Sequence, residues 1–182
     1  MSTQQRPQPA KAAAAPYAVA RLPTATIGLP VTYRLFFLLF EPLSALAGAY
    51  FAHFAQHDYL TLTDAASAPA SAVEIPRATA VVLSQLANLY LLFAINEALV
   101  LRSTADLRVW KTVLSGLLLA DFGHLYALRP LGLDVYWRAD RWNAMDMGNV
   151  PFVYLGACMR MAFLAGIGLA RPSRGQAKPK KN

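Results

Sequence analysis

Five ionisable side chains stand within long apolar stretches of this chain: Glu41, Glu97, Asp121, His124 and Arg160. A charge at the centre of a membrane helix costs about 2.5–3.5 kcal/mol on insertion scales, so such groups face a cavity or a partner. Asp121 and His124 are three residues apart within Asp-Phe-Gly-His, which puts both on one helix face. An acid and an imidazole so spaced can share a proton or orient each other, as general acid and base work requires. The competing reading, less favoured because Asp121 is well inside its stretch, is interhelical hydrogen-bond glue with Gln85 or Asn88 as partner. Glu41 is followed by Pro42, which has no N–H to donate and leaves the carbonyl of Leu38 without its helical partner. An acid beside a free carbonyl makes a polar notch, and a carboxyl kept neutral by apolar surroundings is a proton donor. The competing reading pairs Glu41 with Arg160, and buried pairs of that kind often add little net stability. Glu97 is placed nearer the end of its stretch, where it is expected to snorkel or to pair with Arg102 or Arg34.

Other polar groups are weaker candidates. Asn88 and Gln85 share a face and are expected to form a hydrogen-bonding wall toward the interior. His53 and His57 could join His124 and an acid, but no compact ligand spacing supports a metal site, and the single cysteine, Cys158, excludes a cysteine-based zinc centre. No cofactor is expected. The run from Trp137 to Asn149, with Asp140, Trp142 and Asp146, has the composition of an interfacial belt; it would also lie at the mouth above Asp121 and His124.

The elements that must position these groups follow from hydropathy. Of the 182 residues 56% are hydrophobic and only 15% charged, which points to one small integral-membrane domain and away from an ordinary soluble one. Residues 1–30 contain no acid and little to pack, and are expected to form a disordered tail, with an organelle transit peptide as the lesser alternative. Four apolar stretches follow, at about 31–56, 79–101, 107–128 and 149–170, each near the ~20 residues needed to span a bilayer. The fold class expected is all-α: a four-helix membrane bundle over residues 31–170, with 57–77 and 129–148 as connections and 171–182 as a basic tail.

The net charge of +7 arises mostly in the tails and at stretch ends, where it meets lipid headgroups, so no nucleic-acid partner is expected. Arg6, Lys11, Arg21, Arg34, Arg102, Arg108, Lys111 and the C-terminal Arg171, Arg174 and lysines fall on one side of a four-span topology. The other has only Arg77, Arg129, Arg138 and Arg141, accompanied by Asp58, Asp64, Glu74, Asp134, Asp140 and Asp146. Both termini are therefore expected in the cytosol. The ending Lys178-Pro179-Lys180-Lys181-Asn182 resembles a dilysine retrieval signal of the endoplasmic reticulum, or is simply a basic tail drawn to anionic lipid.

Tyr33-Arg34, Phe40-Glu41-Pro42, Asp121-Phe122-Gly123-His124 and the Trp- and Asp-rich segment ending at Gly148-Asn149 together resemble a small fungal family of four-span membrane proteins. That family is similar to the membrane-bound terpene cyclases of fungal meroterpenoid pathways, the ascofuranone-cyclase type. The resemblance implies protonation of an epoxide or alkene on a farnesyl-type chain, a carbocation cascade that closes rings, and loss of a proton at the end. It implies Glu41 or Asp121 as the acid, with Asp121 favoured because Arg160 would keep Glu41 ionised. His124 would orient Asp121 or take the final proton. Tyr90, Phe122, Tyr126 and Trp110 would offer ring faces to cations, with Asn88, Trp137 and Asp146 completing the substrate site. The partners implied are membrane lipid, a hydrophobic prenylated small molecule and pathway enzymes in the same membrane. Rival readings are a noncatalytic lipid- or sterol-binding or scaffolding protein, a sterol-isomerase-like enzyme, and a proton-coupled carrier; the last is disfavoured because no inverted repeat is visible.

Overall fold

The computed structural model describes residues 28–169. The tails expected over 1–30 and 171–182, and the dilysine ending with them, lie outside the described residues except for Gly28, Leu29 and Pro30. Four long helices dominate. α1 is Val31–Phe54, α2 the short Gln56–Thr63, α3 Arg77–Ser103, α4 Leu107–Ala127, α5 the short Ala144–Asn149 and α6 Pro151–Leu164. α5 and α6 run on as one 21-residue stretch, Ala144–Leu164, bent where Val150 precedes Pro151. Among the described residues the secondary structure is helical throughout, so the all-α expectation holds.

α1, α3 and Ala144–Leu164 are long and apolar enough to cross a membrane, which makes this a multi-pass candidate. α4 matches the last of these in length at 21 residues but carries Arg108, Lys111, Asp121 and His124 and is less apolar. α1 packs along α3 and α4 along α6. Both pairs are antiparallel: Arg102 reaches Leu38 while Gln56 reaches Ala80 and Ser84, and Trp110 meets Phe163 while Asp121 meets Arg160.

The two ends of the bundle are packed differently. At one end Tyr33, Phe36, Phe37, Leu101, Trp110, Leu114 and Phe163 form a dense core, with Trp110 and Phe163 stacked at 5.6 Å between ring centres. Buried rings of this size supply most of a core's apolar area. At the other end the buried residues include Ala52, Ala87 and Leu83 with Tyr59, and α2 and α5 lie across the opening. Small side chains there leave space that the aromatic end does not.

The segment expected as a loop over 57–77 begins with α2, because Ala55 (φ −125°) breaks the helix and Gln56 ties the restart to Ala80 O and Ser84 Oγ of α3. α6 stops at Leu164 rather than near 170. Gly166, at φ +81°, closes it with the paired bonds Ile167 N–H to Ala162 O and Gly166 N–H to Phe163 O, a left-handed cap that glycine adopts without strain. Tyr33 Oη then donates to Ile167 O at 2.9 Å, which joins the end of α6 to the start of α1.

Candidate functional site

Arg160 is the centre of the bundle. It is 3% exposed, and its guanidinium donates to carboxylates from three other helices. Nη2 donates to Glu41 Oε1 of α1 and, at 3.0 Å, to Glu97 Oε1 of α3; Nη1 donates to Asp121 Oδ2 of α4 at 2.7 Å. Each long helix thus supplies one charged group. The planar fork of arginine, with donors in fixed directions, is suited to hold several acceptors at once.

Local backbone features put the acids there. Immediately before Glu41, residues Phe36–Phe40 form a π-helical turn, and Glu41 N–H bonds to Phe36 O, one residue beyond the α-helical acceptor. A second π-helical turn, Asn96–Val100, contains Glu97. Single π turns inside α-helices add a residue and re-aim the side chains around them, and they are frequent at functional sites. The carbonyl that Pro42 frees, Leu38 O, accepts from Arg102 Nη2 at 2.7 Å. Gly156, one turn before Arg160, leaves room for the pair: a Cβ there would stand 2.8 Å from Arg160 Nη1 and 3.2 Å from Glu41 Oε1.

The cluster forms one wall of a cavity of about 340 Å³. Other parts of its lining are Ser44, Ala45, Gly48, Phe51, Tyr59, Tyr90, Phe93, Leu117, His124, Met145, Asn149 and Phe152. This volume falls within the roughly 300–1,000 Å³ usual for small-molecule sites, and an apolar wall with a few convergent polar groups is their usual chemistry. Glu41, Glu97 and Asp121 all line the cavity, but the Glu41 and Asp121 side chains are each 12% exposed against 1% for Glu97, so the first two are the more accessible. Glu41 Oε2, Glu97 Oε2 and His124 Nε2 are buried without a hydrogen-bond partner among the described residues. Tyr90 sits on Gly48, 3.3 Å from where a Cβ would be, and its hydroxyl meets that of Tyr59 at 3.2 Å. Burial and this contact push the Tyr59 phenol well above its ordinary pKa, which keeps it a neutral hydroxyl.

The structure brings together Glu41, Asp121, His124, Tyr90 and Arg160 of the residues singled out from sequence, including the Glu41–Arg160 pair. It corrects several others. Glu97 does not snorkel or pair with Arg102; it is buried on Arg160, because it shares a helix face with Leu83, Ala87, Ala94 and Leu101, all buried. Arg160 does not single out Glu41 either, since Asp121 accepts from it too. Phe122 and Tyr126, 51% and 71% exposed, are turned away from the cavity, each one position off the face that carries Asp121. Trp110 belongs to the aromatic core, with Nε1 donating to Thr104 O at 2.9 Å. Asn88 and Gln85 point outward on α3, not into a polar interior wall. Trp137 is exposed, and Asp146 is occupied in a capping box with Asn143 at the start of α5. His57 turns to the connection after α2, where Nε2 lies 3.1 Å from Pro69 O, and His53 is exposed. The rings that line the cavity are instead Phe51, Tyr59, Phe93 and Phe152 beside Tyr90.

No curated protein and no solved structure matches the chain. Residues 26–170, which hold all six helices and every group of the site, match a domain of unknown function, DUF7704. The chain therefore belongs to the DUF7704 family.

Proposed function

We propose that this protein is a membrane-embedded terpene cyclase of meroterpenoid metabolism that closes rings on a prenyl, farnesyl-type chain by proton-initiated carbocation chemistry. The observation that carries this reading is the convergence of three carboxyls on one guanidinium at the wall of an apolar cavity. One guanidinium balances one carboxylate. A fully ionised cluster would bury two further negative charges, at a cost of several kcal/mol each.

Asp121 or Glu41, the more accessible members, delivers the proton to an epoxide oxygen or an alkene carbon. As the proton leaves, Arg160 is already bonded to the carboxylate that forms, which stabilises the charge where it develops. The alkene π electrons then make the new C–C bonds, and cationic carbon passes the faces of Phe51, Tyr90, Phe93 and Phe152. Loss of a proton to His124, whose Nε2 has no hydrogen-bond partner among the described residues, ends the cascade, and return of that proton to the acid resets the site. The proton gained equals the proton lost, so substrate and product are isomers and no redox partner is needed.

In the same reading all four long helices cross the membrane of the endoplasmic reticulum, with both termini cytosolic. Expression in a host supplied with the epoxidised prenyl phenol, with products read by mass spectrometry, tests the chemistry. Glu41→Gln and Asp121→Asn, each retaining a hydrogen-bonding amide, are expected to lower turnover at least a hundredfold singly or together, within the range general acids contribute. Both variants cyclising at the wild-type rate would show the cluster to be structural, as a lipid-binding or scaffolding protein requires.

A further inference from the structure

α3 presents two unlike faces. Leu83, Ala87, Ala94 and Glu97 are buried against the bundle, whereas Ala78, Val81, Gln85, Asn88, Leu92 and Ile95 are exposed. Within the wider exposed surface, which also includes Val82, Leu89 and Leu91, this set recurs at alternating intervals of three and four residues for two and a half heptads. That is the seam pattern of helices that pack along one another. Seams of this kind are apolar in most positions, and here two adjacent layers are amides.

Those amides are out of place for a surface that meets only lipid. At 1.5 Å per residue, Gln85 and Asn88 lie about 12–17 Å along α3 from Arg77, well inside a hydrocarbon layer ~30 Å thick. Neither side chain makes a hydrogen bond among the described residues. Both are too short to reach the headgroups, and lipid tails offer neither donor nor acceptor. A carboxamide carries a donor and an acceptor on the same group, so it is complementary to itself. The exposed seam from Ala78 to Ile95 holds no charged residue that would call for a partner of opposite sign.

We infer that α3 is the interface of a parallel homodimer, in which a second copy of this chain meets the first about a two-fold axis along the membrane normal. Gln85 and the partner's Gln85, and Asn88 and the partner's Asn88, then exchange amide hydrogen bonds between layers of Val81, Leu92 and Ile95. Polar residues in such layers fix register and pairing more than they add stability. The inference needs α3 to span the membrane and is independent of the acid chemistry proposed above.

The full chain, labelled with donor or acceptor fluorophores and reconstituted in phosphatidylcholine vesicles, reads association by energy transfer as the protein-to-lipid ratio is varied. The wild type is expected to pair, and Gln85→Leu with Asn88→Leu to weaken pairing at least tenfold. Because both sites are exposed, the double variant retains the fold, which its unchanged helical circular dichroism verifies. In a Cys158→Ser background, which removes the exposed native thiol, Asn88→Cys is expected to form a disulfide dimer on mild oxidation. Leu119→Cys, on the exposed face of α4, is expected to stay monomeric. A wild type monomeric at every ratio, a leucine variant that pairs as well as wild type, or equal crosslinking at both positions would overturn the inference. So would pairing seen in native membranes but absent from the purified chain, since that outcome assigns the face to a different membrane protein.

Discussion

Gly156 and Arg160 are one helical turn apart and act as a single device. Alanine in a helix interior is favoured over glycine by roughly 1 kcal/mol, so propensity alone predicts that Gly156→Ala stabilises α6. Packing opposes it. The added methyl would meet Arg160 Nη1 at 2.8 Å and Glu41 Oε1 at 3.2 Å, and the guanidinium cannot swing aside without loosening three carboxylate bonds. Overpacking of a tight core costs about 1–3 kcal/mol. Gly156→Ala is therefore expected to be net destabilising, measured as a lower unfolding midpoint in detergent micelles; a raised midpoint would mean the cluster yields freely. At this scale the chain was partly legible. Intramembrane charges announced Glu41, Asp121 and Arg160, but sorting Glu97 by its distance from the helix end misplaced it. Its face, shared with Ala87 and Ala94, was the better signal. The aromatic candidates Phe122 and Tyr126 failed for the same reason, since a shift of one residue turns a helical side chain by about 100°.

At the level of elements, the two π turns and Pro42 set how α1 and α3 present their acids. Pro42 removes the donor that Leu38 O would otherwise have within the helix, and Arg102 Nη2 replaces it from α3. The two residues should then be energetically coupled across helices. Arg102→Ala in the wild-type background removes the side-chain donor that Leu38 O has among the described residues, whereas in a Pro42→Ala background the helix itself can supply one. The double-mutant cycle is expected to show that Arg102→Ala costs less by about 0.5–1.5 kcal/mol when Pro42 is already alanine. Strict additivity would mean that the Arg102 contact is incidental. The sequence carried half of this: proline before an apolar run implies an orphan carbonyl. That a distant arginine satisfies it, and that the helix widens to a π turn rather than kinking, depends on tertiary contacts that no local pattern encodes. The short α2 was missed likewise, because Gln56 holds it through bonds to α3.

For the molecule as a whole, the four apolar stretches correspond to the four long helices, and the antiparallel pairing of α1 with α3 and α4 with α6 supplies the rest of the topology. The start of α1, the end of α3, the start of α4 and the end of α6 meet in the core built from Tyr33, Leu101, Trp110 and Phe163. Arg34, Arg102, Arg108 and Lys111 lie at this end, while Asp58, Asp64, Glu74 and Asp134 lie in or beside the connections at the other. The second end also carries Arg77, Arg129, Arg138 and Arg141, so the difference between the ends of the helices is one of acids; the proposed topology, with the first end cytosolic, rests on the basic tails and on this excess of acids at the other end. α4 is the decisive helix, because its length suffices to cross but its polarity is higher than that of the others. If α4 crosses as proposed, its pairing with α6 through Asp121 and Arg160 offers the compensation: the two charges would enter the bilayer bonded to each other rather than exposed to lipid. N-glycosylation acceptor sites introduced into microsomally inserted chains can read this. Sites in the 64–72 and 129–143 connections are expected to be modified and one in the 103–106 connection to remain bare. If the 129–143 site stays bare while the 64–72 site is modified, α4 does not cross, and Arg160 then loses its Asp121 contact in the inserted protein. The acid cluster would in that case hold only Glu41 and Glu97, so the topology experiment also decides whether a three-carboxyl site exists in the membrane.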